Sequence, residues 1–164
     1  MRILGICFGH QILGRALSLP VGRNPLDWEL SVVPISLTTI GHKFFYPETT
    51  TSTSTSSPPP ETQSFLSLLQ MHRDHIPPTT LPSNIHLLGY TPLTPNQGML
   101  LPHKFVSVQG HPEFTPEIVG EMLEVRKELG VITQEMYEDA KRRVGDRHDG
   151  VLVMRAMLRF LLEE

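Results

Sequence analysis

The sequence predicts an α/β domain with a mainly parallel sheet. Short apolar segments typical of buried strands alternate with helical patterns through most of the chain, and the C-terminal part is helical throughout. The chain has 164 residues, of which 39% are hydrophobic, enough for one domain with a substantial core. We therefore expect a single domain over residues 1–164.

The chain begins with a strand, a sharp turn and a helix. The apolar segment MRILGI (1–6) predicts a short buried strand. The segment HQILGRALSL (10–19) carries its apolar residues on one face with the 3.6-residue period of a helix, and Pro20 and Gly22 indicate its end. This order places Cys7 in the turn.

The middle of the chain contains a segment of unusual composition. Residues 31–38 predict a strand, and residues 43–47 a further short strand. Residues 48–64 are almost wholly Thr, Ser and Pro, without the apolar side chains that offset the entropy of ordering, so we expect a disordered surface insertion. A linker between two domains is the alternative, although each flank is short for an independent core.

Strands dominate the following part of the chain. Residues 65–72 are apolar and fit either a short helix or a strand. Residues 85–91 and 98–103 predict two strands joined by a Pro-containing turn, and residues 104–110 predict another.

The C-terminal segment 115–164 predicts three helices. Thr115 is suited to an N-cap and Pro116 to the first helical position. Thr133 is suited to cap a second helix, and residues 148–164 form a third whose apolar face we expect to dock on the core.

Composition excludes several classes of function. The net charge is −3 and no basic stripe is present, so nucleic acid is not an expected partner. No apolar run approaches the ~20 residues of a membrane helix, and no secretory signal pattern is present. The single cysteine fits a reducing compartment, and we expect a cytoplasmic protein without a cofactor.

The single cysteine lies in the heptapeptide GICFGHQ (5–11). A thiol reacts as thiolate, a form that a helix N-terminus favours, and Cys7 lies where such a helix begins. Gly5 and Gly9 allow the tight strand-to-helix turn of a nucleophile elbow, in which the N–H of Phe8 would be one oxyanion donor. A buried thiol that packs as a small hydrophobe is the alternative.

A second motif supplies the partners that such a nucleophile needs. In VQGHPEF (108–114), Pro112 favours extended backbone at His111, which projects His111 and Glu113 to the same side. A carboxylate beside an imidazole fixes its tautomer, the orienting role in a nucleophile–His–acid triad. We therefore predict Cys7, His111 and Glu113 as catalytic residues.

The two motifs, GICFGHQ and QGHPEF, resemble the signatures of class I glutamine amidotransferase domains. MHRDHI (71–76) and NQGM (96–99) follow the order seen in stand-alone, GMP-synthase-like members such as those of fungi. The resemblance implies a flavodoxin-like fold of three layers, in which helices cover both faces of the sheet.

The resemblance also implies an activity, the hydrolysis of the glutamine side-chain amide. Cys7 would attack the amide, His111 would pass a proton to the leaving ammonia, and water would release glutamate from a thioester on Cys7. Substrate-binding positions are implied around the elbow and a later loop. These are Gly5, Gly9, Gln11, His72, Arg73 and Asp74. An ammonia-accepting enzyme acting in trans would be the partner.

This sequence departs from the family pattern at its N-terminus, because family domains have strands and helices before the elbow strand. They also carry a glycine loop that supplies the second oxyanion N–H. We therefore expect a fragment, arising from a truncated gene model, an alternative start at Met1 or a decayed copy. Two alternative functions follow. One is a catalytically incomplete domain that only binds a partner, and the other is a cysteine hydrolase of γ-glutamyl amides.

Two other clusters are weaker candidates. His72, Asp74 and His75 could contribute to a zinc site, but no further clustered ligands are visible, so we expect no metal. Asp27, Trp28 and Glu29 form a polar-aromatic patch that predicts a surface loop with a partly buried tryptophan, without assigned chemistry.

Overall fold

The computed structural model describes residues 1–47 and 64–162, and in these a six-stranded sheet lies between two layers of helices. All but the last residue of the predicted insertion, 48–64, lies outside the described residues. The elements in chain order are β1 (Ile3–Ile6), α1 (Phe8–Ala16), β2 (Gly22–Arg23), β3 (Glu29–Leu37), α2 (Thr39–Phe45), β4 (Phe65–His72), β5 (Asp74–His75), β6 (His86–Tyr90), β7 (Gly98–Leu101), β8 (Phe105–Val108), α3 (Pro116–Glu128), α4 (Gln134–Arg143) and α5 (Gly150–Leu162).

The strand order of the large sheet is β1-β8-β7-β6-β3-β4. The expectation of a mainly parallel sheet is wrong: β1 pairs with β8 in parallel, and the other four pairings are antiparallel. The connections explain this result. Only residues 91–97 join β6 to β7, and residues 102–104 join β7 to β8, whereas a parallel pair needs a crossover of about a dozen residues or more.

Hydrophobic side chains fill both faces of the sheet, because successive residues of a strand point to opposite sides. In β4, Leu66 and Leu68 pack toward α2 and α5, while Leu69 and Met71 pack toward α3 and α4. Helix α1 covers the same face as α3 and α4, farther along the sheet, where Leu13 packs with a cluster around buried Phe105. The three-layer α/β architecture is confirmed.

Segment 43–47, predicted as a strand, instead lies mainly in helix α2. Thr38 caps this helix, since its Oγ1 accepts a hydrogen bond from the N–H of Gly41 at 3.0 Å. Gly41 lies directly against β6, where an added Cβ would stand 1.8 Å from the carbonyl oxygen of Leu88. The helix therefore packs closer to the sheet than any other residue type would allow.

The remaining elements follow the sequence closely. Thr115 and Thr133 cap α3 and α4 through their side chains. The apolar segment 65–72 is a strand, paired with β3 over eight consecutive residues. No helix within the described ranges has both the length and the apolar character needed to cross a membrane.

Candidate active site

Cys7 occupies a strained turn between β1 and α1. Its backbone has φ 49° and ψ −101°, a conformation that costs about 1–3 kcal/mol and is concentrated at functional sites. The turn is held because the Cys7 N–H donates to the Val108 carbonyl at 2.9 Å and the Cys7 carbonyl accepts from the Gln11 N–H. The thiol thus stands, partly exposed, at the N-terminus of a helix.

Gly5 permits the close approach of strand and helix at this turn. A Cβ at position 5 would lie 2.7 Å from Leu13 Cδ1 and 3.0 Å from the backbone of Gly9. Gly9 differs, because a Cβ there would meet no atom within 4 Å. The elbow therefore requires glycine at position 5. At position 9 the backbone lies close to residue 5, but a Cβ added there would meet no other atom within 4 Å.

Phe8 is the first residue of α1, so its N–H belongs to the first helical turn, which has no preceding helical carbonyl as acceptor. Its side chain is exposed. The backbone N–H of Phe8 therefore lies at the start of α1, directly after Cys7.

His111 and Glu113 meet beside this turn. His111 Nδ1 lies 2.8 Å from Glu113 Oε1, and the imidazole stacks on the ring of Phe114 with centroids 3.8 Å apart. The His111 N–H donates to the Leu69 carbonyl at 2.9 Å, which fixes the backbone against β4. The His111 ring is thus held in three ways. The backbone is fixed by Leu69, one ring face stacks on Phe114, and Nδ1 contacts Glu113.

The electrostatics of this group favour a charged imidazole. Burial acts to lower the pKa of His111, but hydrogen bonds to Cys7 and Glu113, together with their charges, outweigh it and raise the pKa to about 9. Burial acts to raise the pKa of Glu113, and the hydrogen bond from His111 holds it below its ordinary value. The structure thus brings Cys7, His111 and Glu113 together, with the His111–Glu113 hydrogen bond at one end of the group.

The predicted substrate-binding loop lies against α1 through its backbone. Gln11 is buried, and its Nε2 donates to the Asp74 carbonyl at 2.8 Å. The same carbonyl lies 3.2 Å from His72 Nδ1. The side chains turn elsewhere, since Arg73 donates to the Asn24 carbonyl and Asp74 pairs with Arg23 at the surface.

Two residues that carry contacts here have no assignment in the sequence analysis. Gln109 is fully buried, and its Nε2 lies 3.6 Å from Cys7 Sγ. Glu29 is also buried and begins β3, so the predicted surface loop at 27–29 is wrong at that position, although Trp28 is partly buried as expected. Gln109 stands two residues before His111 in the quoted motif, and Glu29 follows the tryptophan.

Glu29 anchors a buried polar network beneath the loop. Its Oε2 accepts from Gln97 Nε2 at 2.6 Å and lies 3.1 Å from His72 Nε2. The Thr91 hydroxyl donates to its other oxygen. The His72 ring is therefore buried between the Glu29 carboxylate and the Asp74 carbonyl.

Two further buried histidines surround this network. His10 has its Nδ1 2.9 Å from Ser107 Oγ, and burial, followed by the charge of His72, lowers its pKa to about 3. The same two causes, in the same order, lower the pKa of His75. Across residues 1–47 and 64–162, no group of three or more His, Cys, Asp or Glu side chains is arranged to hold a metal ion.

Comparison with known proteins identifies relatives of this chain. The model of the glutamine amidotransferase class-I family matches residues 1–126. A Schizosaccharomyces pombe protein with the provisional name glutamine amidotransferase-like protein is 32% identical over 99% of this chain and 58% of its own length. Gamma-glutamyl peptidase 4 of Arabidopsis thaliana is 29% identical over 85% of this chain and 51% of its own length.

Solved structures share the fold. A glutamine amidotransferase from Thermotoga maritima superposes with a TM-score of 0.62 at 23% identity, over 98% of this chain and 62% of that chain. A glutamine amidotransferase from Methylobacillus flagellatus gives a TM-score of 0.63 at 17% identity, over 98% of this chain and 61% of that chain. The expected flavodoxin-like amidotransferase fold is confirmed. The chain spans between 51% and 58% of the length of the two curated relatives described above.

Proposed function

Because the chain belongs to the class I glutamine amidotransferase family, we propose that it hydrolyses the side-chain amide of glutamine through a thioester on Cys7. The observation that carries the proposal is the convergence of Cys7, His111 and Glu113 at the N-terminus of α1, where His111 Nδ1 lies 2.8 Å from Glu113 Oε1. It joins a nucleophile, a proton carrier and an orienting carboxylate, the three roles of covalent acyl transfer.

Acylation begins with the Cys7 thiolate beside the His111 imidazolium. The sulfur attacks the amide carbon, and the negative charge moves to the carbonyl oxygen, where the N–H of Phe8 stabilises it. The C–N bond then breaks as His111 gives its proton to the leaving nitrogen. Ammonia departs, and the γ-glutamyl group stays on the sulfur.

Deacylation uses the same residues in reverse. His111, now neutral, takes a proton from water, and the resulting hydroxide attacks the thioester carbon. The C–S bond breaks, which releases glutamate and restores the thiolate–imidazolium pair. Glu113 keeps Nδ1 protonated throughout, so that Nε2 is the nitrogen that exchanges protons.

The free amino-acid end of the substrate would lie at the loop of His72, Arg73 and Asp74, with Gln11, Gly5 and Gly9 shaping the elbow side. Backbone groups of this loop are the better candidates, since the side chains of Arg73 and Asp74 already have other partners. An enzyme that consumes ammonia in trans would be the partner of such a domain.

A diazo-ketone analogue of glutamine tests the proposal directly. Purified protein is incubated with the analogue, and intact mass and peptide mapping identify the modified residue. We expect one adduct per chain on Cys7, prevented by glutamine and lost in His111→Ala. Folded protein that forms no adduct and releases no glutamate from glutamine would contradict the proposal and favour a domain that only binds a partner.

A second candidate is the hydrolysis of γ-glutamyl peptides, favoured by the similarity to gamma-glutamyl peptidase 4. Both substrates present the same γ-carbonyl to Cys7 and differ in the amine that leaves. Parallel assays with glutamine and a γ-glutamyl dipeptide distinguish them. Release of glutamate from the dipeptide alone would select this candidate.

A further inference from the structure

Gln109 presents a polar side chain to the nucleophile from a fully buried position. Its Nε2 lies 3.6 Å from Cys7 Sγ, within reach of an N–H···S hydrogen bond. A buried amide must find partners for both its nitrogen and its oxygen. The other end of Gln109 meets this need, because its Oε1 lies 3.2 Å from Gln11 Nε2.

The neighbouring contacts fix which end of the Gln109 amide faces the sulfur. The Asp74 carbonyl oxygen can only accept, so the Gln11 atom that lies 2.8 Å from it must be the donating nitrogen. That nitrogen also contacts Gln109, and it requires an acceptor there. The oxygen of Gln109 therefore faces Gln11, and its NH₂ group faces the sulfur.

The start of this hydrogen-bond chain is itself immobilised. His72 Nδ1 lies 3.2 Å from the same Asp74 carbonyl, and His72 is held in turn by the buried carboxylate of Glu29. The carbonyl that sets the direction of the chain is thus part of a buried network. The direction of the Gln109 amide is preset before any substrate binds.

We propose that Gln109 is a further catalytic residue, whose amide N–H holds the Cys7 thiolate in place for attack. The inference rests on the proposed function, in which Cys7 is the nucleophile. A hydrogen bond to a charged acceptor is about twice as strong as a neutral one. The bond weakens as the negative charge moves from the sulfur, which faces Gln109, to the substrate oxygen, which would face the N–H of Phe8. The segment 109–111 therefore supplies both the amide that donates a hydrogen bond to the thiolate and the histidine that acts as the base.

The rate of Cys7 alkylation by iodoacetamide, measured across a range of pH, tests this role without any substrate. Gln109→Met keeps the approximate size of the side chain and removes the donor. We expect the midpoint of its pH–rate profile to move upward by about one pH unit, the equivalent of a hydrogen bond to a charged group. His111, the titratable group that faces the sulfur, is retained in the variant.

Gln134→Met is the control, since it makes the same substitution on α4, where Gln134 Nε2 donates to Glu138 and takes no part in the network at Gln109. Its profile should match that of the parent. If Gln109→Met does not fold, Gln109→Glu, which keeps the shape and places an acceptor at the sulfur, is expected to move the midpoint farther upward. A folded Gln109 variant with an unchanged profile would overturn the proposal.

Glutamine hydrolysis, assayed on the same samples, separates this inference from the proposed function. A parent that hydrolyses glutamine, together with an unchanged profile in Gln109→Met, would refute the role of Gln109 alone. If the parent does not hydrolyse glutamine but Gln109→Met shifts the profile, glutamine is not the substrate, and the hydrogen bond from Gln109 to the Cys7 thiolate is supported.

Discussion

Glu29 Oε2 and His72 Nε2 lie 3.1 Å apart, and each of the two side chains is only 3% exposed. The contact joins the start of β3 to the end of β4, two residues before Asp74 in β5. Burial acts to raise the pKa of Glu29, but the hydrogen bond and charge of His72, with the hydrogen bonds of Thr91 and Thr94, hold it below its ordinary value. The carboxylate is thus charged in the folded protein.

Removing one partner of this pair should destabilise the protein strongly. Glu29→Gln removes the buried carboxylate on which the contacts of His72, Gln97 and Thr91 converge, and breaking a buried pair of this kind costs about 3–5 kcal/mol. The free energy of unfolding, measured with urea, should fall by that amount. Glu117→Gln, at an exposed position in the first turn of α3, is the control and should change it little. A loss below about 1 kcal/mol in Glu29→Gln would argue that the buried carboxylate contributes little to stability.

The same pair predicts a dependence of stability on acid pH. Because the folded pKa of Glu29 lies below 4.5, its stabilising contribution is fully present above pH 4.5 and is lost as the pH falls through the folded value. The difference in unfolding free energy between the parent and Glu29→Gln should therefore shrink in that range. Denaturant titrations at several acid pH values measure it, and a constant difference would contradict the sign of this shift.

His111 should titrate well above an ordinary histidine. Its pKa of about 9 depends on Cys7 and Glu113, so NMR of the ring carbons should show a midpoint near that value in the parent. In Cys7→Ala the midpoint should fall. The sign for stability is opposite to that of Glu29, because a raised pKa stabilises below pH 6.5 and loses its effect as the pH rises toward 9. A midpoint near 6.5 in the parent would contradict the raised pKa of His111.

Arg143 ties α4 to an open part of strand β3. Its Nη1 donates to the carbonyls of Leu30 and Val32, at 3.0 Å and 2.6 Å. Arg143→Met should lower the free energy of unfolding by about 1.5–3 kcal/mol, because two strand carbonyls lose a charged donor. Arg142→Met is a close control, since Arg142 pairs with Asp139 in a largely exposed position and should change stability by about 0.5 kcal/mol or less. Equal losses in the two variants would show that the carbonyl contacts contribute nothing.

The sequence predicts the parts of this molecule that local patterns determine. The elbow at Cys7, the His111–Glu113 contact and the caps at Thr115 and Thr133 depend on residues a few positions apart. Strand direction was predicted wrongly because it follows from short connections between strands, which the alternation of strands and helices does not show. Segment 43–47 was misassigned because its aromatic run resembles a strand, whereas the Thr38 cap lies upstream.

The missed residues share one cause, which is distance along the chain. The contact between Gln11 and Gln109 joins residues 98 positions apart, and the contact between Glu29 and Gln97 spans 68 positions. No local period links such pairs, and a single sequence contains no other signal for them. A buried polar network is therefore visible only once the sheet has brought its strands together.

Glu113 offers the sharpest separation of catalysis from binding. Glu113→Gln keeps the shape of the side chain but no longer fixes a protonated Nδ1 on His111, so that the wrong tautomer is favoured. We expect kcat for glutamine hydrolysis to fall by about a hundredfold, less than for a fully buried triad acid, because the Glu113 side chain is 41% exposed and water partly replaces it. KM should change little, since Glu113 contacts His111 and not the substrate.

Steady-state assays of Glu113→Gln beside the parent measure both constants, and Glu117→Gln serves as the matched exposed control. The histidine midpoint followed by NMR should fall in Glu113→Gln, because one cause of the raised pKa of His111 is removed. A parallel loss of kcat and of the midpoint would tie catalysis to the charge on His111. A rise in KM at constant kcat would instead place Glu113 in substrate binding and would remove it from the triad.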